Sequence, residues 1–150
     1  NPEEITALFN KIKAVASTNL EDKNYQDKEL SSYDYLNSTI EEIMDYPIEV
    51  KIERDEVNIA ILYGSLGINF LDVKRLEVRM ELLDRSKEEV TGMANSGGIR
   101  KDEEAHLKKT IAGHMDSLQQ QKEALLSRST IKENEVLLFE QLTRDTLLAK

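Results

Sequence analysis

FLDVKRLEVRMELLDRSKEEVTGMAN (residues 70–95) and KDEEAHLKKTIAGHMDSLQQQKEALLSR (residues 101–128), joined by SGGIR (96–100), form the stretch whose reading decides the fold. Apolar residues return here at intervals of three, four or seven. They are Val73, Leu76, Met80, Leu83 and Val90 on the first arm, and Leu107, Ile111, Leu118 and Leu125 on the second. A helix turns once in 3.6 residues, so this spacing gathers them on one stripe, as in coiled coils. The turn signal Asn95-Ser96-Gly97-Gly98 folds the second arm back on the first, with Gly92 as an earlier stop. The expectation is a mainly α helical bundle organised around a long antiparallel helical hairpin, about 70–95 and 101–128. On the first arm Glu81, Arg85 and Glu89 pair at four-residue spacing along the solvated side. On the second, heptad spacing brings His114, Gln121 and Arg128 onto the seam, which makes it partly polar.

Upstream, Asn1-Pro2-Glu3-Glu4 is a helix start: a capping side chain, a residue with preset φ, then acids at the positive dipole end. This helix is expected to run to about Ser17, with Ile5, Leu8, Phe9, Ile12, Val15 and Ala16 on one face. Residues 19–30 read as an exposed loop. Ser31 and Asp34 form a capping pair for a helix carrying Tyr33, Leu36, Ile40, Ile43 and Met44, which Pro47 ends after Tyr46. Ile48, Val50 and Ile52, then Val57, Ile59 and Ile61, alternate with other residues around Arg54-Asp55-Glu56, which reads as a small β-hairpin at about 48–63. A helix through Ile48, Ile52, Ile59, Leu62 and Leu66 is the competing reading. Tyr63-Gly64-Ser65-Leu66-Gly67 is a turn. Downstream, Thr130 and Glu133 open a last helix with Val136, Leu137, Leu138, Phe139, Leu142, Leu147 and Leu148, too apolar to face one neighbour.

With 150 residues, one helical domain spanning 1–150 is expected, cut from a longer protein because the chain starts without methionine. No cysteine is present, which excludes disulfides, thiolate metal sites and a cysteine nucleophile. The longest apolar run, Ile59 to Tyr63, is far short of the ~20 residues of a membrane span. Residues 21–56 hold twelve acids against four bases, within a chain of net charge −9. That excess opposes binding to nucleic acid or anionic lipid, both of which need basic neutralising groups, and suits a basic protein partner. Self-association as a homo-oligomer is also open, and a cytoplasmic location is favoured.

The chemistry-bearing patterns are incomplete. Glu103-x-x-His106 has the spacing of a di-metal bundle ligand pair, but a second such pair is missing and His114 follows Ile111. His114 on the seam reads as a satisfied polar residue, with a pH sensor as the sharper alternative. Asp22 to Tyr33 begins like a calcium loop but lacks its glycine and final glutamate. Asn37-Ser38-Thr39 is a formal glycosylation acceptor placed on a helix. No catalytic, cofactor-binding or metal residue is therefore assigned, and none of the chain's serines has an activating context.

The reading that follows is a non-enzymatic protein-protein interaction or assembly module. Its partner-binding residues are Glu41, Glu42 and Asp45 on the acidic surface, and Phe139 and Leu142 on the apolar last helix. The alternative is an extracytoplasmic ligand-sensing helical domain excised from a membrane receptor, which membrane spans on both flanks would support.

Overall fold

Start and stop signals in the sequence set the element boundaries. The computed structural model describes residues 2–23, 31–127 and 140–142, with the side chains of 16–23 outside that description. The first helix, α1, spans Pro2–Lys23. It continues beyond Ser17 into the expected loop, because Asn19 to Lys23 contains no glycine or proline to break it. Helix α2 spans Ser32–Asp45, capped as its sequence implies: the Asp34 amide donates to Ser31 Oγ at 3.1 Å. It stops where Pro47 forces Tyr46 into extended backbone, φ −66° and ψ 129°.

The β-hairpin expected at 48–63 does not form, and no strand occurs among the described residues. Residues 48–53 belong to no helix or strand. Their carbonyls are met by side chains: Arg75 Nε donates to Ile48 O at 3.0 Å and Lys74 Nζ to Lys51 O at 2.8 Å. A 3₁₀ turn, Arg54–Glu56, then leads into helix α3, Val57–Ser65. A strand would place Val57, Ile59 and Ile61 on one side. Instead Ile59 and Tyr63 are buried, at 5% and 1% exposure, while Val57 and Ile61 are exposed, at 45% and 66%, which is the helical period. An isolated two-stranded hairpin is marginal, whereas the helix satisfies its own backbone. Its start was written at Glu53-x-x-Glu56, where the Glu53 amide donates to Glu56 Oε1 at 2.9 Å.

Helix α4, Phe70–Asn95, begins at Asn69, whose Oδ1 accepts from the Leu71 amide at 2.9 Å. Gly92 lies within it. Helix α5, Lys101–Leu126, follows a five-residue connection. Helices α3 and α4 end by the same device. Gly67 (φ 78°) and Gly97 (φ 82°) occupy the left-handed region. The next amide in each case reaches back five residues, Ile68 to Tyr63 O at 2.9 Å and Gly98 to Met93 O at 2.8 Å. These are Schellman closures, which satisfy carbonyls the helix leaves open.

The chain divides into two compact units, residues 1–47 with 78–116, and 48–77 with 117–150. In the first, α1 packs on α2, and Phe9, Ile12, Leu36, Ile40, Ile43, Leu82, Leu83, Val90, Leu107 and Ile111 are buried. Of the expected seam, Leu83, Val90, Leu107 and Ile111 thus lie inside. The second unit has its own cluster of Ile59, Tyr63, Ile68, Phe70, Val73 and Leu126, with Leu125 packed half-buried against it. The mainly α helical bundle is as the apolar spacing implied.

Candidate interaction surface

The acidic residues assigned to partner binding sit at the C-terminal end of α2. Carbonyls left open there make this the negative pole of the helix, and its last turn carries no basic residue. Acids there oppose the dipole. The compensating charge comes from α4: Arg79 Nη1 donates to Ile43 O, to Met44 O at 2.9 Å and to Tyr46 O at 3.1 Å. One guanidinium therefore caps α2 and fixes its end against α4. Glu41 and Asp45 stay exposed beside this cap, and Glu42 is half-buried.

Glu41 also meets α5. His114 Nε2 lies 3.4 Å from Glu41 Oε1, and with the carboxylate as acceptor the ring nitrogen is the donor. Eight residues earlier on both helices, the Tyr33 and His106 rings lie 5.9 Å apart. Two contacts advancing by the same interval, about 12 Å of helix at 1.5 Å per residue, show that α2 and α5 run side by side in the same direction. Both histidines of the chain thus face α2. His114 is half-buried, its side chain 27% exposed, and is a satisfied polar residue at this contact. Gln121, the next seam position, is exposed on its own helix and reaches Ser117 Oγ at 3.5 Å.

The second unit offers different chemistry. Tyr63 is buried with its hydroxyl donating to Glu140 Oε1 at 2.5 Å and its ring edge-on to Phe70 at 5.5 Å. This ties α3 to the helical turn at 140–142. The large hydrophobics that stay exposed among the described residues are Ile52 (44%), Val57 (45%), Ile61 (66%) and Leu142 (53%), all within this unit. Of the two apolar residues expected to meet a partner, Leu142 is exposed and Phe139 lies outside the described residues. Val57 and Ile61 were missed as surface residues because the strand reading placed them with Ile59. The signal was present: residues 57–71 contain no charged side chain, in a chain that is 33% charged.

Glu103 and His106, despite their ligand-like spacing, go to different partners. Glu103 Oε1 accepts the Arg100 amide at 2.9 Å, closing the start of α5, while the His106 ring lies tilted against Tyr33. Among the described residues, no group of three or more His, Asp or Glu side chains is arranged to hold a metal ion. Thr39 of the formal glycosylation triplet is buried in α2, its hydroxyl bonded to Tyr35 O at 2.9 Å. The residues drawn toward a calcium loop fall on the end of α1, on 24–30, which lie outside the described residues, and on the cap and first turn of α2, where Tyr33 stands. No described helix is long and apolar enough to cross a membrane. Comparison with known protein families, with curated proteins and with solved structures gives no match.

Proposed function

We propose that this chain is a non-enzymatic protein-interaction module whose acidic face, centred on Glu41, Glu42 and Asp45, receives a basic protein partner, with the long α4 and α5 arms as scaffold. The observation that carries the reading is the distribution of charge. The first unit holds eighteen acids against eleven bases, so seven of the nine excess negative charges belong to it. At the end of α2 the Arg79 guanidinium is engaged by backbone carbonyls and stabilises the helix end, while Asp45 is exposed and Glu41, its side chain 51% exposed, keeps a contact with His114. Exposed charge of one sign accelerates encounter with its opposite more than it strengthens the final complex.

The test is capture of partners from a lysate of the source organism at low and high salt, repeated with the combined Glu41→Gln, Glu42→Gln, Asp45→Asn variant. Association of captured partners should slow steeply as salt rises, because exposed charges are screened over ~8 Å at physiological ionic strength. The variant should slow it similarly, with stability unchanged or raised by ~0.5 kcal/mol as the dipole conflict is relieved. Partners indifferent to both salt and the substitutions would end the proposal.

A further inference from the structure

From the outer face of α3 we infer that two copies of this chain associate, α3 against α3 across a two-fold axis. Helix α3 carries large apolar side chains on both sides: Ile59 and Tyr63 are buried in the second unit's core, while Val57 and Ile61 look outward beside exposed Asn58. Large hydrophobics exposed side by side on one helix face mark a contact surface. The outward stripe continues through Gly64, where an added Cβ would meet nothing within 4 Å. Val57, Ile61 and Gly64 thus grade from bulky to bare along one face of α3.

That gradient matches its own inverse. In an isologous antiparallel pairing Ile61 meets Ile61 at the axis, and Val57 of each copy lies over the bare backbone at Gly64 and Ser65 of the other. Charge agrees with the geometry. Exposed charges beside the helix gather at its N-terminal end, Glu49, Asp55, Lys51 and Arg54, two of each sign. The other end exposes Gly64, Ser65, Gly67 and Asn69, and the charges that follow, Asp72 and Arg75, are paired with each other at 3.2 Å. Antiparallel pairing therefore sets the charged end of each copy against the uncharged end of its mate, so no like charges meet. It also sets opposite helix poles together. The second unit carries eleven acids against nine bases, so two copies can approach through it with little repulsion. A basic partner drawn to the acidic unit finds no counter-charge on this face.

A nine-residue helix face is well below the ~800 Å² per partner of a standard interface, so the dimer is a weak, concentration-dependent one. Sedimentation equilibrium of the full chain alone, from about 5 μM to about 0.5 mM, should show the average mass climbing toward twice the monomer. The climb should persist in about 1 M salt, where screening acts over ~3 Å, which separates it from the salt-sensitive recognition proposed for Glu41, Glu42 and Asp45. Ile61→Asp, at a 66% exposed position that leaves the core intact, should weaken association by about tenfold or more. Because the chain has no cysteine, Ile61→Cys should trap a disulfide-linked dimer under mild oxidation far faster than Glu49→Cys. A monomer at the highest concentration, association untouched by Ile61→Asp, or equal trapping by the two cysteine variants would each overturn the inference.

Discussion

The first unit is acidic and exposes no large hydrophobic side chain among the described residues, while the second is close to neutral and carries every one found exposed there. Their internal ties differ as well. In the first, a cation on α4 holds the carbonyl end of α2; in the second, a buried phenol holds the helical turn at 140–142. The contrast teaches that two kinds of recognition need not compete for one surface. Long-range attraction of a basic partner belongs where charge is in excess, and short-range apolar contact where charge is scarce.

Removing the Arg79 guanidinium is expected to have the largest effect. Arg79→Met keeps much of the aliphatic stem but strands two α2 carbonyls and that of the following Tyr46, and leaves the acids at that end without compensation. Hydrogen bonds to a charged group contribute about 1.5–3 kcal/mol, so a loss of about 3 kcal/mol is expected by urea denaturation. Hydrogen exchange then sharpens the contrast between units. Protection should fall across α2, with α3 amides holding; equal loss in both would show that the two units unfold as one.

A smaller and paired effect is expected at the two left-handed glycines, since each unit contains one Schellman closure. Gly67→Ala in the second unit and Gly97→Ala in the first each force a Cβ into a positive-φ backbone, costing about 1–2 kcal/mol. Gly92→Ala should do the opposite, gaining about 0.5–1 kcal/mol, because that glycine is interior to α4 with open space where a Cβ would go. Thermal melting of the three variants checks this, and destabilisation by Gly92→Ala would refute the helix continuing through it.

These elements also show what could be read from the amino acids. The bounds of α4, the capped start of α2, its stop before Pro47 and the turn at Gly97 were all legible, since each depends on residues adjacent in sequence. The segment 48–63 was misread because Val57-x-Ile59-x-Ile61 fits a strand by alternation, and only Glu53-x-x-Glu56 argued locally for a helix start. Arg79 was not legible as a cap. It reaches carbonyls 33 to 36 residues away, and such a tie leaves no local pattern. Of the residues proposed to meet a partner, Glu41, Asp45 and Leu142 are exposed, whereas the outer face of α3 appeared only once its period was seen to be helical.

The smallest expected effect concerns pH at the start of α5. Asp102 is held below the ordinary carboxylate range, chiefly because Arg100 donates to it from Nε at 3.0 Å and Nη2 at 3.4 Å. Glu104 is lowered too, first by the hydrogen bond from Lys108 at 3.1 Å and then by the charge of Lys101. A carboxylate that is more acidic folded than unfolded stabilises the fold while both states are ionised. Its contribution is therefore present above about pH 4 and lost as pH falls through the depressed folded values. The acids also lie at the positive pole of α5, so protonation removes a second favourable term. Asp102 is exposed, its side chain 71% so, and its share of the effect should shrink as salt rises, whereas Glu104 is half-buried. Melting temperature followed from neutral to strongly acid pH should fall less steeply in Asp102→Asn than in the parent, with the difference fading in high salt. A parent and variant that trace the same curve at low salt would show that the charges at the start of α5 do not couple to folding, and that the acid response of the first unit arises elsewhere.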